Sequence, residues 1–253
     1  MINMMRAELY RLTKGFGFWF FWTASLGTSL ISVLFKEPGG VSFGASFDYS
    51  PSLKMDIVQL GMNFTYYFLL IIPVYNLISA EFNEHTIKNT ISSSISKNVY
   101  YLTKFIFTML YSVVSYTLAC YIFYLLNRVI NGSKYSSPAG EFTKALFRQL
   151  PVIAGFVAVF IFVAFFFRKG AVLNSVTIIT PIVYTTVSLL LFGIKSTKNT
   201  AEHLLKYEIS TVMSKMASGC TDSYRMTCYT GIAVVAAASA VLGYLAFTRR
   251  ELD

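Results

Sequence analysis

The side chains that could support catalysis are few and far apart in this sequence. Neither His85 nor His203 belongs to an H-E-x-x-H zinc motif, and the adjacent Glu84 and His85 read as an ordinary solvated pair in a polar loop. The sequence also contains no G-x-S-x-G elbow and no phosphate-binding G-x-x-x-x-G-K-[ST] loop. We therefore predict that the chain is not an enzyme and that it holds no metal or cofactor of its own.

Three cysteines are too few for a disulfide framework or a zinc site. Cys120 falls in an apolar run, where a packing role is expected. Cys220 and Cys228 could form a disulfide if their loop faces an oxidising exterior, and the sequence leaves this open.

Six apolar runs occupy most of the chain. The helices that they form must position any functional side chains. Of the 253 residues, 55% are hydrophobic and 13% are charged, against about 25% charged in ordinary soluble domains. Each run can cross the hydrocarbon core as a helix, and none shows the short alternation of barrel strands. We predict one all-α integral membrane domain, residues 1–253, with spans at about 15–35, 57–80, 105–127, 147–167, 171–192 and 226–247.

Two further segments are expected to form helices at the membrane surface. The first fourteen residues place four apolar side chains on one arc, which predicts an interfacial helix, although Glu8 fits that arc poorly. The arc consists of Ile2, Met5, Leu9 and Leu12. The segment 193–225, predicted to be external, keeps apolar residues at helical spacing, which favours one or two short surface or re-entrant helices.

Charge distribution favours cytoplasmic N- and C-termini. On that side, lysines and arginines are concentrated in short segments beside the spans, as the positive-inside rule requires. The net charge of +9 does not indicate a nucleic-acid partner, because no basic stripe alternates with stacking aromatics. Membrane lipids are the expected partners of these charges.

The proposed spans contain polar but no ionisable side chains. Asn63, Tyr67 and Asn76 in the second span, with Asn174 and Thr177 in the fifth, are candidates to line a translocation path. Hydrogen bonding between helices is an equally good explanation for them. Since carriers driven by ions usually bury an ionisable residue, we expect the energy source to lie outside the membrane.

The loop between the second and third spans, residues 81–104, carries a small apolar ridge. Ile87, Ile91 and Ile95 recur at every fourth position, which predicts a short amphipathic helix parallel to the membrane. Such a helix can present its ridge to a cytosolic partner, or it can pack beneath its own bundle. The spacing alone does not choose between them.

Two stretches of this sequence resemble the type-2 ABC transporter permeases. The first is Ser79-Ala80-Glu81, Thr86 to Asn89, Ser96-Lys97, Tyr101 and Lys104, and the second is Gly243-Tyr244 through Phe247, Arg249, Arg250 and Glu251. The family's usual form of the first is an acid, a Gly-Thr pair, a helical run, and Ser-Arg before an aromatic. This chain departs from it at His85 for glycine, Ser94 for proline and Lys97 for arginine.

The resemblance implies a coupling helix in the 81–104 loop that docks on a separate ATPase dimer. Glu81, Phe82, Thr86, Ile87 and Ile91 would transmit closure of the ATPase, and ATP and Mg²⁺ would bind to that partner. A second permease, identical or related, would complete the path.

The chain's small size further resembles permeases of antimicrobial-peptide export or self-protection in the bacterial plasma membrane, including lantibiotic immunity systems. Two other classes stay open. One is a self-powered secondary carrier or channel, which the polar residues of the second and fifth spans would serve. The other is a scaffold or sensor that transports nothing.

Overall fold

A computed structural model describes residues 2–37, 53–62, 65–87, 91 and 95–250, and all regular elements in these ranges are helical. The α-helices are α1 Ile2–Lys14, α2 Phe16–Phe35, α3 Met55–Met62, α4 Thr65–Leu69, α5 Ile71–Val74, α6 Ala80–Asn83, α7 Lys97–Asn131, α8 Ala139–Phe167, α9 Gly170–Phe192, α10 Lys198–Lys206, α11 Ile209–Ser218 and α12 Asp222–Arg249. A π-helical turn, Tyr75–Ser79, joins α5 to α6, and a 3-10 turn, Lys195–Thr197, precedes α10.

Within the described residues, six helices are long and apolar enough to cross a membrane. They are α2, the run Thr65–Asn83, α7, α8, α9 and α12. This supports a multi-pass membrane protein, as the sequence predicts.

Two of the spanning helices are longer than their apolar runs. Helix α7 has 35 residues, or roughly 52 Å at 1.5 Å per residue, against a hydrocarbon core of about 30 Å. Its N-cap is Ser96, whose side chain accepts a hydrogen bond from the Val99 amide at 3.3 Å. Helix α8 starts at Ala139, well before the predicted 147–167 span. The apolar run therefore marks only the middle of each helix.

The second span is the irregular one. Pro73 lies in α5 and is followed by the π-helical turn Tyr75–Ser79. Proline lacks an amide proton and disturbs the helical ladder, and π turns locally re-aim side chains and carbonyls. In contrast, Pro181 lies within α9 without ending it. The chain thus breaks regularity one turn before Glu81.

Part of the segment between the fifth and sixth spans packs into the bundle. As predicted, it forms short helices, and α11 packs against α3 and α8. Gln149 of α8, fully buried, links these parts. Its Nε2 donates to the carbonyls of Leu60 at 3.0 Å and Met213 at 2.9 Å, and its Oε1 accepts from the Tyr116 hydroxyl at 3.0 Å. One side chain therefore joins the third and fourth spans to α3 and α11.

The cysteines are free thiols in this structure. Cys120 is buried within α7, in agreement with a packing role, and neither Cys220 nor Cys228 forms a disulfide.

Close contact between α3 and α11 allows a test of this fold. A methyl group added at Gly61 would lie 2.8 Å from the Ser214 Cα, so the backbone of one helix must move. We expect Gly61→Ala to destabilise the protein by about 1–3 kcal/mol, seen as a lower thermal unfolding midpoint in detergent.

Gly27→Ala is the matched control, because no atom lies within 4 Å of the added methyl in α2. Its unfolding midpoint should stay level or rise slightly, since alanine is the better helix former. Equal losses in the two variants would contradict the packing of α3 against α11.

Candidate functional site

Glu8 is the residue that docks α1 onto the bundle. The sequence shows it as a poor fit on an apolar arc, and in the structure it is buried together with Leu12. Leu9, on the predicted apolar arc, is instead about half exposed. The face that α1 turns toward the protein is therefore centred on a carboxylate, while Leu9 and Tyr10 point away.

Four charged side chains from three segments form a closed ring, which we call the ion ring: Glu8, Arg11, Glu81 and Lys104. Lys104 Nζ contacts Glu8 Oε1 at 2.7 Å and Glu81 Oε1 at 2.8 Å. Arg11 contacts Glu8 Oε2 at 2.8 Å and also pairs with Glu81 Oε1. Each carboxylate thus bridges both cations, and charge alternates around the ring.

Two more groups complete the hydrogen bonding of the ion ring. The hydroxyl of Tyr100, one turn before Lys104 on α7, donates to Glu81 Oε2. Lys104 Nζ donates to the carbonyl of Leu77 at 2.7 Å, within the π-helical turn. The irregular part of the second span therefore presents a carbonyl to the buried ammonium group.

Because the ion ring is largely buried, its stability depends on the balance between its positive and negative charges. Lys104 is completely inaccessible and Glu81 is 3% exposed, while Arg11 reaches solvent. Burial lowers the pKa of Arg11, but Glu81 and Glu8 outweigh this and raise it above its ordinary value. Two carboxylates and two cations compensate each other, so removing one leaves an uncompensated charge in a medium that solvates it poorly.

Aromatic side chains from four spans pack beside the ion ring. Phe82 lies with its ring centroid 6.0 Å from Phe165 and 6.3 Å from Phe247, and Tyr100 stacks on Phe247 at 5.5 Å. Tyr101 contacts Phe165 at 4.7 Å. These contacts join the second, third, fourth and sixth spans at the same end of the bundle.

The two stretches that carry the family resemblance meet at this end of the bundle. Tyr101 contacts Tyr244 at 5.6 Å, and its hydroxyl donates to the carbonyl of Ala240 at 2.7 Å. Lys97 Nζ donates to the carbonyl of Arg250 at 3.1 Å. Gly243 permits the approach, since an added methyl there would lie 2.7 Å from the Tyr101 hydroxyl. Residues more than a hundred positions apart therefore form one packed unit.

The residues expected to contact an ATPase are placed differently from one another. Glu81, Phe82 and Ile87 are buried, Thr86 is half-buried, and Ile91 packs against the core. The isoleucine ridge is therefore turned toward its own bundle at Ile87 and Ile91. The rest of the predicted coupling helix lies partly at residues 88–90 and 92–94, outside the described residues.

Between the buried positions, the turn at Glu84 and His85 is exposed. His85 has φ of 53°, in the left-handed region that glycine adopts most easily. The resembling family has glycine at this position. The local backbone thus fits the family pattern even though the side chain departs from it.

The described candidates for a translocation path lie in three places. The hydroxyl of Tyr67 donates to the carbonyl of Thr177 at 3.1 Å, which joins the second and fifth spans. Asn76 packs closely against Gly17 of α2. Asn174 lines a mainly apolar cavity of about 530 Å³ with Phe20 and Ile72 among others. Asn63 lies outside the described residues.

A second polar cluster holds the opposite end of the bundle. Asp56 is fully buried, and its Oδ2 accepts from the amide and hydroxyl of Ser137 at 2.9 and 2.6 Å. Burial raises the pKa of this carboxyl despite those hydrogen bonds. Asp56 therefore ties α3, which precedes the second span, to the loop between the third and fourth spans.

Sequence reasoning did not find the ion ring as a unit. It placed the proposed spans at 57–80 and 105–127, so Glu81 and Lys104 fell just outside them, whereas the structure includes both in the spanning helices. The available signal was spacing: Glu8 and Arg11 are three apart and Tyr100 and Lys104 four apart, so each pair shares a helical face.

No protein-family model matches this chain, and no curated protein matches it. In the described residues no group of three or more His, Cys, Asp or Glu side chains could hold a metal ion. Function is therefore inferred from the chain's own residues and contacts.

Breaking the ion ring should destabilise the fold. We expect Glu81→Gln or Lys104→Gln to lower the free energy of unfolding by about 3 kcal/mol, since each leaves one uncompensated charge in the buried ring. Glu84→Gln, at an exposed position three residues on, should change it by less than about 0.5 kcal/mol. Thermal unfolding in detergent measures all three.

The double variant Glu81→Gln/Lys104→Gln distinguishes pairing from loss of packing. If the two charges compensate each other, the double variant loses clearly less free energy of unfolding than the two single variants lose together. Strictly additive losses would show that the two residues do not act together.

The left-handed backbone at His85 gives another test. We expect His85→Gly to stabilise the protein by about 0.5–1 kcal/mol, because it relieves a non-glycine residue of an unfavourable conformation. Glu84 has φ of −88°, and Glu84→Gly should instead destabilise through greater freedom of the unfolded chain. A fall in the unfolding midpoint for both variants would contradict the turn described here.

Proposed function

We propose that this chain is the membrane-spanning permease subunit of an ATP-driven ABC exporter. The observation that carries this proposal is spatial: the two stretches that resemble type-2 ABC permeases, separated in sequence, pack together around Tyr101. Six alternating spans place both stretches at the same end of the bundle, but a chance likeness in either stretch would not require direct contact between them.

Three other features support the proposal. The 81–104 loop follows the second of six spanning helices, as in that family's architecture. His85 takes a backbone conformation suited to the family's glycine. The chain's sequence has no ATP-binding loop of its own, so an ATPase dimer with ATP and Mg²⁺ would supply the energy.

The ion ring suggests how movement would pass from the ATPase into the membrane. In this proposal the ATPase contacts the exposed turn at Glu84 and His85, a few residues after Glu81. Glu81 is tied to α1 through Arg11 and to α7 through Lys104. A displacement of the turn would then move three segments together rather than one loop.

The proposed transporter also has a second membrane subunit, a peptide cargo and a location in the cell. A second permease, identical or related, would face this one across the path. An amphipathic peptide such as a bacteriocin or another antimicrobial peptide is the proposed cargo, in export or self-protection. The location would be the bacterial plasma membrane with both termini in the cytoplasm.

Co-purification tests the partnership. Expressed with its genomic neighbours and purified through an affinity tag, the chain should retain an ABC ATPase. We expect Glu84→Arg to reduce the retained ATPase several-fold, because it reverses charge on the exposed turn. Glu202→Arg is the control, since Glu202 is an exposed glutamate on α10 at the opposite end of the bundle.

The outcome is decisive in either direction. Retention of no ATPase, or equal retention by the two variants, would contradict docking at this turn. Ile87→Asp is a poorer probe, because Ile87 is buried and its substitution would disturb folding. Peptide transport by the reconstituted chain without ATP would favour the self-powered carrier instead.

A further inference from the structure

A basic cavity lies at the end of the bundle opposite the ion ring, between α10, α11 and the start of α12. Its volume is about 430 Å³, within the range of ligand pockets, roughly 300–1,000 Å³. Two lysines, Lys206 and Lys215, line it together with Tyr207 and Tyr224. Nothing in the proposed transport function uses this cavity.

The two ammonium groups converge on one aromatic side chain. Lys215 Nζ lies 5.0 Å and Lys206 Nζ lies 5.8 Å from the Tyr224 ring centroid. The Tyr224 ring is stacked on Tyr207 at 5.7 Å and 14°, and its hydroxyl donates to the carbonyl of Lys206 at 2.6 Å. The wall that carries both cations is therefore held in place.

Lys206 is exposed and Lys215 is half-buried, and two like charges beside one ring attract an anion. Neither lysine has a carboxylate partner among the described residues. Asp222, nearby at the start of α12, is largely exposed and pairs with Arg225 at 2.7 Å. Buried Glu208 instead accepts hydrogen bonds from Thr185 and Thr211. Within the described residues, no carboxylate therefore neutralises the positive charge of the cavity.

The remaining lining suits a phosphate group. Thr221 and Ser223 line the same cavity and bring hydroxyl groups that can donate to phosphate oxygens alongside the two ammonium groups. Met226, one turn further along α12, is 59% exposed. Helix α12 is a candidate span, so a cavity at its start is expected near the lipid headgroups.

We propose that this cavity binds a phosphate group carried by an anionic lipid headgroup. Lys206 and Lys215 contact the phosphate, and the acyl chains lie along the apolar surface of α12 that begins at Met226. The site is independent of transport and of any ATPase.

Native mass spectrometry of the purified full chain tests this. With phosphatidylglycerol and phosphatidylcholine of identical acyl chains, we expect a preference for phosphatidylglycerol that falls roughly tenfold in Lys206→Gln/Lys215→Gln. The control Lys144→Gln/Lys198→Gln removes the same charge at exposed positions outside the cavity and should keep the preference. Lys206→Arg/Lys215→Arg, which keeps the charge, should retain most of it.

Each other result counts against the proposal. Absence of a phosphatidylglycerol preference, or an equal loss in the control, would overturn the site. Inorganic phosphate or glycerol phosphate at millimolar concentration tests the source of the group. If either displaces the lipid, the cavity recognises soluble phosphate and the lipid assignment is wrong; lack of displacement supports the lipid.

Discussion

The need to balance charge away from water is the constraint on which this structure depends. Glu8, Arg11, Glu81 and Lys104 meet where water is largely excluded, and an ion placed there alone would be strongly unfavourable. The ring therefore favours the observed positions of the three segments that supply these side chains. The π-helical turn fits this constraint, because it brings the Leu77 carbonyl to the same ammonium group.

Buried polar side chains are compensated in different ways at the two ends of the bundle. At the end that holds the ion ring, opposite charges compensate each other across segments. Elsewhere, the Asp56 carboxylate accepts hydrogen bonds from the Ser137 amide and hydroxyl, and the Gln149 side-chain amide donates to the carbonyls of Leu60 and Met213. In the proposed permease, a rigid charged end would receive motion, and the hydrogen-bonded end would hold α11 against the spans.

Sequence patterns predicted the elements well and their contacts poorly. Apolar runs located six spanning helices because hydrophobicity over about twenty residues is a strong local signal. The short helices before the sixth span were also predicted from spacing. Helix ends were missed, since α7 and α8 extend into charged residues that the apolar runs exclude.

The candidate site was predicted only in part, for a physical reason. Glu81 was identified through a resemblance, but its role depends on Arg11, 70 positions away, and Lys104, 23 positions away. Spacing along the sequence does not reveal contacts between residues this far apart. The same holds for Glu8, whose place on an apolar arc looks unfavourable until the opposing Lys104 is known, and for Ile87, whose ridge is equally compatible with a partner or with its own core.

The membership of α1 in the ion ring also has a consequence for how the protein is made. Helix α1 is synthesised before the second span, which carries Glu81, and before the third, which carries Lys104. Until then Glu8 and Arg11 have only each other, and α1 must wait at the membrane surface. Its docking through the ion ring therefore requires that the second span and the start of the third have already been made.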